Sequence, residues 1–283
     1  MIFGIIIYPV YIQIMKNQTN KKTRKNRYIF KNIKKKPLYS VITVVKNDER
    51  NISKTIKSVL NQSYKNFEYI IVDGKSTDDT LKILSKYKNK ISRIITKPDK
   101  GIYFAMNKGI KVSKGKIIVF INSGDLFSKN ALKIVNNIFE KNKNLNFVFG
   151  TVRRHYTKST ILKYGFDKNK LKYNFDFATA HSTGFFLKKK IFDKYGVFNT
   201  KYNCSADYDL YYRLILKNKL IGGYSEKNQL VGIVKSGGYS SKINFFDHIV
   251  EETKIRINND QNLIIVIIIF FNAVIKGILK KLI

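Results

Sequence analysis

The sequence lacks the components of several common kinds of site. It has a single cysteine, Cys204, in 283 residues, which excludes an internal disulfide framework and a zinc site built from several cysteines. No paired base stands beside Cys204, so a small packed residue is favoured over a nucleophile. Glycine-rich loops of the GxxxxGK or GxGxxG type are missing too, which argues against P-loop and NAD-type nucleotide sites.

Acidic residues are scarce. The chain has 19 Asp and Glu against 54 Lys and Arg, a formal net charge of +35. Such a charge is compatible with a nucleic acid, an anionic membrane or a polyanionic substrate such as a nucleotide sugar, and an AT-rich gene would produce part of it. Basic residues are spread along the chain, and the densest cluster adjoins an apolar segment rather than an aromatic platform, so no nucleic-acid partner is expected.

Long hydrophobic runs are also absent. Residues 1–15 are apolar but shorter than the ~20 residues of a spanning helix, and the basic run that follows them does not fit a signal peptide. We predict an N-terminal extension over 1–36 that lies on anionic lipid, with a flexible tail as the alternative. Residues 37–242 are predicted to form one domain, and 243–283 a C-terminal helical segment that associates with a membrane. Its apolar stretch, residues 263–283, has about 17 residues before the closing lysines, at the lower limit for a spanning helix, so spanning and lying in the interface both stay open.

Apolar runs of strand length alternate with helical spacing through the central domain. This pattern predicts an α/β fold with a mixed, mainly parallel sheet between two layers of helices. Ligands bind such sheets at the carboxyl ends of the strands. Strands are predicted over 39–45, 67–72, 91–96, 117–121 and 146–149, and helices after residue 52, from Ser76 or Thr77, and over 102–112 and 128–141.

Acidic side chains follow the first four of these strands. They are Glu49, Asp73, Asp99 and Asp125, with Asp48 beside the first. A single aspartate in this place is usually a turn or cap residue, but several at one edge would repel one another and raise each other's pKa. A divalent cation, or ribose hydroxyls and base N–H groups, would relieve that repulsion. Because a phosphate loop is missing, we predict a diphosphate held by a metal ion.

Three segments in series resemble family 2 glycosyltransferases with a GT-A fold. They are SVITVVKNDERNISKTIKSVLNQSYKNFEYIIVDGKSTDDT, KPDKGIYFAMNKGI and KGKIIVFINSGD, within a resemblance that extends from about residue 37 to 216. The resemblance implies inverting transfer of a sugar from a nucleotide-diphosphate donor. It further implies a lipid-linked or oligosaccharide acceptor, in bacterial surface polysaccharide synthesis at the cytoplasmic face of the membrane.

The resemblance also assigns residues to the donor site. The residues implied to bind the nucleotide and the donor sugar are Val44, Glu49, Asp73, Asp99, Gly101, Asn107 and Ser123. Asp73 would receive the base, typically uracil, and Asp99 would lie beside the ribose or the sugar. Ser123 and Gly124 stand at the leading acidic positions of the family's DxD-like motif. Asp125 is therefore left as the carboxylate ligand of Mn²⁺ or Mg²⁺.

A second group of residues lies further along the chain. Asp207 matches the family's general base, which takes the proton of the acceptor hydroxyl as that oxygen attacks the anomeric carbon. Asp209 is the alternative base, although its place favours contact with a helix N-terminus, and the spacing of Arg213 favours an intrahelical ion pair. His181 precedes a glycine and an apolar pair, so both a structural role and an acceptor contact stay open.

Other classes of function remain open alongside the enzyme. A catalytically weakened GT-A-fold binding protein is compatible with the reduced metal motif, but the retained Asp207 argues against it. A basic nucleic-acid-binding protein is compatible with the charge alone. A polymerising synthase with a translocation channel is disfavoured, because two short apolar ends are too few to build one.

Overall fold

A computed structural model of the chain describes residues 36–156, 159–173, 182–235, 237 and 243–282. The N-terminal extension up to residue 35 and His181 lie outside the described residues. Strands in the described part are β1 (Tyr39–Val45), β2 (Phe67–Asp73), β3 (Arg93–Thr96), β4 (Ile117–Phe120), β5 (Leu126–Phe127), β6 (Phe147–Phe149), β7 (Thr151–His155), β8 (Thr160–Lys163), β9 (Phe185–Lys188), β10 (Gly222–Tyr224) and β11 (Leu230–Lys235). Helices are α1 (Ile52–Leu60), α2 (Thr80–Lys86), α3 (Ile102–Val112), α4 (Ala131–Lys141), α5 (Lys168–Tyr173), α6 (Lys189–Tyr195), α7 (Ala206–Tyr211), α8 (Phe245–Asn258) and α9 (Leu263–Leu282), with a π-helical turn over Tyr212–Lys217 after α7.

The larger sheet has seven strands in the order β10-β6-β9-β4-β1-β2-β3. β1 pairs in parallel with both β2 and β4, and β2 pairs in parallel with β3. β9 is inserted antiparallel between β4 and β6. The prediction of a mixed, mainly parallel sheet flanked by helices is therefore confirmed.

A second sheet was not predicted. It has four strands in the order β5-β11-β7-β8. β5 has only two residues, and β8 is exposed or half-buried throughout, so neither carries the continuous apolar run or the strict alternation by which a strand is recognised. β5 follows β4 and β7 follows β6 along the chain. Both pair with β11, which is distant from them in sequence.

The apolar core lies on both faces of the larger sheet. All seven residues of β1 are buried. Ile42 and Val44 pack into one hydrophobic cluster with α3, and Val41 and Val45 pack into the other with α1. A strand covered on both faces reads as a continuous β-branched run, which explains why β1 was predicted with its observed bounds.

Two predicted helix starts are wrong. α2 begins at Thr80, and neither Ser76 nor Thr77 caps it. A cap acts through its side-chain oxygen, and the two hydroxyls are bonded elsewhere: Ser76 Oγ to the Asn47 N–H and to Asp73, and Thr77 Oγ1 to Asn47 Oδ1. α4 begins at Ala131 rather than near Ser128, because the Ser128 N–H donates to the Val231 carbonyl of β11 at 2.9 Å.

The C-terminal segment is helical. α8 packs against α7, and α9 packs against α8. Apolar side chains on one face of α9 are largely exposed, among them Ile264 (68%), Ile268 (54%) and Phe271 (59%), whereas Val266 is buried. Among the described residues, no helix combines the length and the hydropathy needed to traverse a bilayer.

The contact between α3 and β1 leads to a stability prediction at Gly109. A Cβ added at Gly109 would lie 2.5 Å from Cγ2 of Ile42, so the helix can approach the strand only without a side chain there. Gly109→Ala is expected to lower the free energy of unfolding by about 1–3 kcal/mol, although the same change in an open helix would stabilise by about 1 kcal/mol. Urea unfolding measures the difference. Lys111→Ala, on the exposed side of the same helix, is the control, and a stabilised Gly109→Ala variant would contradict this packing.

Candidate functional site

Side chains of the loop after β1 connect the ends of β2 and β4. The Asn47 N–H donates to Ser76 Oγ at 2.8 Å, and the Thr77 N–H donates to Asn47 Oδ1 at 2.8 Å. On the other side, the Ser123 hydroxyl donates to Asp48 Oδ2 at 2.6 Å. The parallel register already places these strand ends at one edge, and the hydrogen bonds join them into one polar surface. The prediction that the first, second and fourth strand ends converge is therefore confirmed.

Asp73 ends β2 at this edge and is fully buried. Its Oδ1 accepts the Ser76 hydroxyl at 2.5 Å, and its Oδ2 accepts the Ser76 N–H at 3.1 Å. Burial raises the pKa of Asp73, and the bonds from Ser76 oppose that rise. The carboxyl is thus held in one orientation by the turn that follows β2, as a group that receives a planar ligand must be.

Asp125 is also buried and is fixed from two sides. Its Oδ2 accepts the Thr183 hydroxyl at 2.7 Å, and its backbone carbonyl accepts the Thr55 hydroxyl at 2.9 Å. Burial raises the pKa of Asp125 to about 7, against the bond from Thr183. The carboxylates of the edge were expected to raise one another's pKa. Burial is instead the largest cause at both Asp73 and Asp125.

The departure from the DxD-like pattern has a conformational reason. Gly124 adopts a φ of 98°, a left-handed conformation that glycine adopts at little cost and that an acidic residue would adopt only with strain. The Gly124 N–H donates to Thr55 Oγ1 at 3.0 Å, which fixes the turn on α1. Gly124 therefore supplies the bend in the turn that connects the end of β4 with Asp125.

Asn122 and Asp125 lie in one turn, and their side-chain oxygens are of the kind that bind a hard divalent cation. Asn122 Oδ1 is buried and has no hydrogen-bond partner among the described residues, while its amide nitrogen donates to Ser182 Oγ at 3.1 Å. Within those residues there is no cluster of three or more His, Cys, Asp or Glu side chains suited to a metal ion. Mg²⁺ and Mn²⁺ need no such cluster, because one or two protein oxygens suffice when phosphates and waters complete the shell.

Several of the predicted donor residues make structural contacts. Glu49 Oε2 accepts the Asp79 N–H at 2.9 Å, between the loops after β1 and β2. The Val44 carbonyl accepts the Ser123 N–H at 3.4 Å. The Asn107 amide both donates to and accepts from the backbone of Phe198, at 2.9 and 3.1 Å. These bonds occupy groups that the prediction gave to the donor, so a donor role for these residues stays a prediction.

Asp99 and Gly101 lie at the start of α3. The Asp99 carboxylate is almost completely buried and forms an ion pair with Lys108 Nζ at 2.6 Å. Gly101 precedes the first turn of α3, and its carbonyl accepts the Ala105 N–H at 3.3 Å. The ion pair gives a buried carboxylate a cationic partner in the loop after β3, adjacent to the edge that carries Asp73.

Asp207 stands in the first turn of α7. Its Oδ1 accepts the Tyr103 hydroxyl at 3.2 Å and the Tyr208 N–H at 2.9 Å, and Tyr103 also donates to the Cys204 carbonyl at 2.9 Å. Burial raises the pKa of Asp207, and the two hydrogen bonds oppose the rise. Tyr103 belongs to α3, which starts beside Asp99, so α3 connects Asp207 with the edge of the sheet.

The side chain of Asp209 forms an ion pair within its own helical segment. Its Oδ2 accepts Arg213 Nε at 2.8 Å, four residues on, as the spacing predicted. The other guanidinium nitrogens of Arg213 donate to the carbonyls of Tyr195 and Val197. Through Arg213, Asp209 is linked to the end of α6 and the loop after it, so its Oδ2 is occupied by a structural ion pair.

Sequence reasoning missed a group of charged residues in α8. Burial raises the pKa of Glu252 to about 8, with Arg256 opposing and Asp207 adding to the rise. His248 lowers the pKa of Asp207 in turn, and Arg256 lies over the Tyr208 ring at 5.5 Å. These residues lie far along the chain from the motifs and have no motif spacing. Only the packing of α8 against α7 places these residues near Asp207.

The family model "Glycosyl transferase family 2" matches residues 40–196. A "PGL/p-HBAD biosynthesis glycosyltransferase" of Mycobacterium tuberculosis is 27% identical over 194 residues, 66% of this chain and 73% of that protein. "UDP-Glc:alpha-D-GlcNAc-diphosphoundecaprenol beta-1,3-glucosyltransferase WfgD" of Escherichia coli is 32% identical over 128 residues, 45% of this chain and half of that protein.

Solved structures share the fold. The crystal structure of Staphylococcus aureus TarS 1–349 in complex with UDP superposes with a TM-score of 0.62 at 16% identity, and covers 83% of this chain and 70% of that one. The mannosyltransferase PcManGT of Pyrobaculum calidifontis, in complex with GDP-Man and Mn²⁺, gives 0.59 at 13% identity, over 79% and 64%. The similarity confirms the GT-A type of fold that the sequence predicted.

Proposed function

Because this chain belongs to glycosyl transferase family 2 and is a glycosyltransferase, we propose that it transfers a sugar from a nucleotide diphosphate to a lipid-linked acceptor, with inversion at the anomeric carbon. The observation that carries the proposal is the joined edge of β1, β2 and β4, where Asp73 and Asp125 are buried and oriented. Solved structures of the same fold contain UDP or GDP-Man. The acceptor class is supported by the relative whose name gives a diphosphoundecaprenol-linked sugar as its acceptor, and the proposed biological setting is bacterial surface polysaccharide synthesis.

The donor would lie along this edge. Asp73 would accept a hydrogen bond from an N–H of the base, typically uracil, because its carboxyl is the oriented acceptor at the end of β2. Asp99 and Gly101, at the start of α3, would lie beside the ribose or the donor sugar. Ser123 faces the same edge through its bond with Asp48.

A divalent cation, Mn²⁺ or Mg²⁺, would be held by Asp125 with Asn122 Oδ1, whose buried oxygen has no hydrogen-bond partner among the described residues. When bound, such a cation neutralises the charge that develops on the leaving diphosphate. The raised pKa of Asp125 means that the pocket does not stabilise the carboxylate on its own. Binding of a cation favours the ionised form.

Asp207 is the proposed general base. Burial raises the pKa of Asp207, and a carboxylate with a raised pKa is a stronger base toward the acceptor hydroxyl. The Tyr103 hydroxyl and the Tyr208 N–H hold Oδ1, which leaves Oδ2 for the acceptor hydroxyl. Asp209 is disfavoured as base because Arg213 occupies its Oδ2.

A membrane surface is the proposed location. The exposed apolar face of α9 (Ile264, Ile268, Phe271 and Ile275) is continuous along the helix, and Lys276 and the net charge of +35 complement anionic headgroups. A lipid-linked acceptor would be presented at that surface. We therefore place the enzyme peripherally on the cytoplasmic face, where the leaflet is anionic.

The base assignment predicts a specific kinetic difference between two aspartates. Asp207→Asn is expected to lower the rate of sugar transfer by about 10²-fold or more and to leave the UDP dissociation constant unchanged. Asp209→Asn is expected to lower the melting temperature, because Arg213 loses its partner, and to keep most of the rate. The assay uses Mn²⁺, a screen of UDP-, GDP- and dTDP-sugars, and GlcNAc-diphosphoundecaprenol as acceptor. Unchanged transfer by Asp207→Asn would exclude it as the base.

The membrane proposal predicts the effect of a charge on α9. Ile268→Glu is expected to weaken binding of the full chain to vesicles of phosphatidylglycerol and phosphatidylethanolamine by about tenfold, because the carboxylate would have to enter the apolar layer. Ile221→Glu is a matched control, since Ile221 is 55% exposed against 54% for Ile268. Co-sedimentation measures both. Equal binding by the two variants would contradict insertion of α9.

A further inference from the structure

The short segment before α7 is held by one side chain of α8. Glu251 Oε1 accepts the Asn203 N–H at 2.6 Å, and Glu251 Oε2 accepts the N–H groups of Cys204 and Ser205 at 2.9 and 3.0 Å. The Cys204 thiol also donates to Oε2, at 3.1 Å. A single carboxylate thus satisfies three consecutive backbone donors directly before the helix that begins with Ala206 and carries Asp207.

Glu251 is charged in this setting. Burial by itself would raise the pKa of Glu251, but the hydrogen bonds from residues 203–205 outweigh it, and the pKa is lowered. Hydrogen bonds to an ionised acceptor are about twice as strong as neutral ones. Without the carboxylate, three adjacent backbone N–H groups of a partly buried segment would lose their partner.

Other contacts enclose the same segment. The Asn258 amide of α8 donates to the Tyr202 hydroxyl at 2.9 Å, and the Asn259 amide donates to Asp209 Oδ1 at 3.4 Å. From the opposite side, the Tyr103 hydroxyl of α3 bonds to the Cys204 carbonyl and to Asp207. The segment that carries Asp207 is therefore held between α3, which starts at the donor edge, and α8.

We propose that Glu251 is a positioning residue for the transfer reaction, which fixes the backbone of residues 203–205 and so orients Asp207. This inference rests on the proposed role of Asp207 as base. Glu251 lies outside the segment matched by the family model, which ends at residue 196, and only the tertiary contact of α8 with α7 reveals it. Through this contact α8 completes the proposed catalytic site.

The test is a double-mutant cycle in the full chain. Glu251→Ala is expected to lower kcat by about 10- to 100-fold, since a small displacement of a catalytic group has that effect, and to leave the UDP dissociation constant unchanged. Combined with Asp207→Asn, it is expected to cause no further loss, because Glu251 acts through Asp207. Glu251→Gln keeps one acceptor oxygen and is expected to retain a kcat between those of Glu251→Ala and the wild type.

Lys254→Ala, an exposed position on the same helix, is the control for α8 itself and is expected to keep full kcat. Circular dichroism and the melting temperature establish that each variant is folded. Where Glu251→Ala does not fold, Glu251→Gln replaces it in the cycle.

The outcomes separate the two proposals. An inactive Asp207→Asn with a fully active Glu251→Ala would overturn the positioning role and leave the base intact. Losses that multiply in the double variant would also overturn it, because Glu251 would then act independently of Asp207. A fully active Asp207→Asn would overturn the base assignment and this inference together.

Discussion

The loop after β1 makes hydrogen bonds to both of its neighbours, and the candidate site depends on them. Asn47 binds the turn after β2, and Asp48 binds the turn after β4. β1 can make both contacts because it pairs in parallel with β2 on one side and β4 on the other. Its burial on both faces fixes that position. Through these bonds the loop after β1 reaches Ser76, which orients Asp73, and Ser123, which stands two residues before Asp125.

Burial, more than mutual repulsion, determines the electrostatics of this edge. Asp73, Asp125 and Asp207 all have a raised pKa with desolvation as its largest cause. Each is held by neutral donors, namely Ser76, Thr183 and Tyr103, while the nearby ion pairs belong to Asp99 and Asp209. Two cationic residues still act on these carboxyls through their charge: Arg154 lowers the pKa of Asp125, and His248 lowers the pKa of Asp207. Hydrogen bonds from neutral groups thus orient the three carboxyls, and burial is the main reason that their pKa values are raised.

The larger sheet was predictable because its strands are continuous apolar runs that end in polar turns. Tyr39–Val45 has its predicted bounds, and Asp73 ends its strand as expected. The second sheet was not predictable, since β5 has two residues and finds its partners far along the chain. The starts of α2 and α4 were misplaced because the residues predicted to begin them are bonded elsewhere: the Ser76 hydroxyl to Asp73, and the Ser128 N–H to the Val231 carbonyl. Glu251 and Glu252 were missed for a similar reason: their role depends on how α8 packs, which no local pattern encodes.

A crystal structure of the full chain with UDP and Mn²⁺, with anomalous scattering to locate the metal, examines the donor edge most directly. We expect the base at the Asp73 carboxyl, and the manganese peak between the diphosphate and the Asp125 carboxylate. Uridine bound away from the ends of β1, β2 and β4, or a manganese ion that does not contact Asp125, would contradict the proposed donor site.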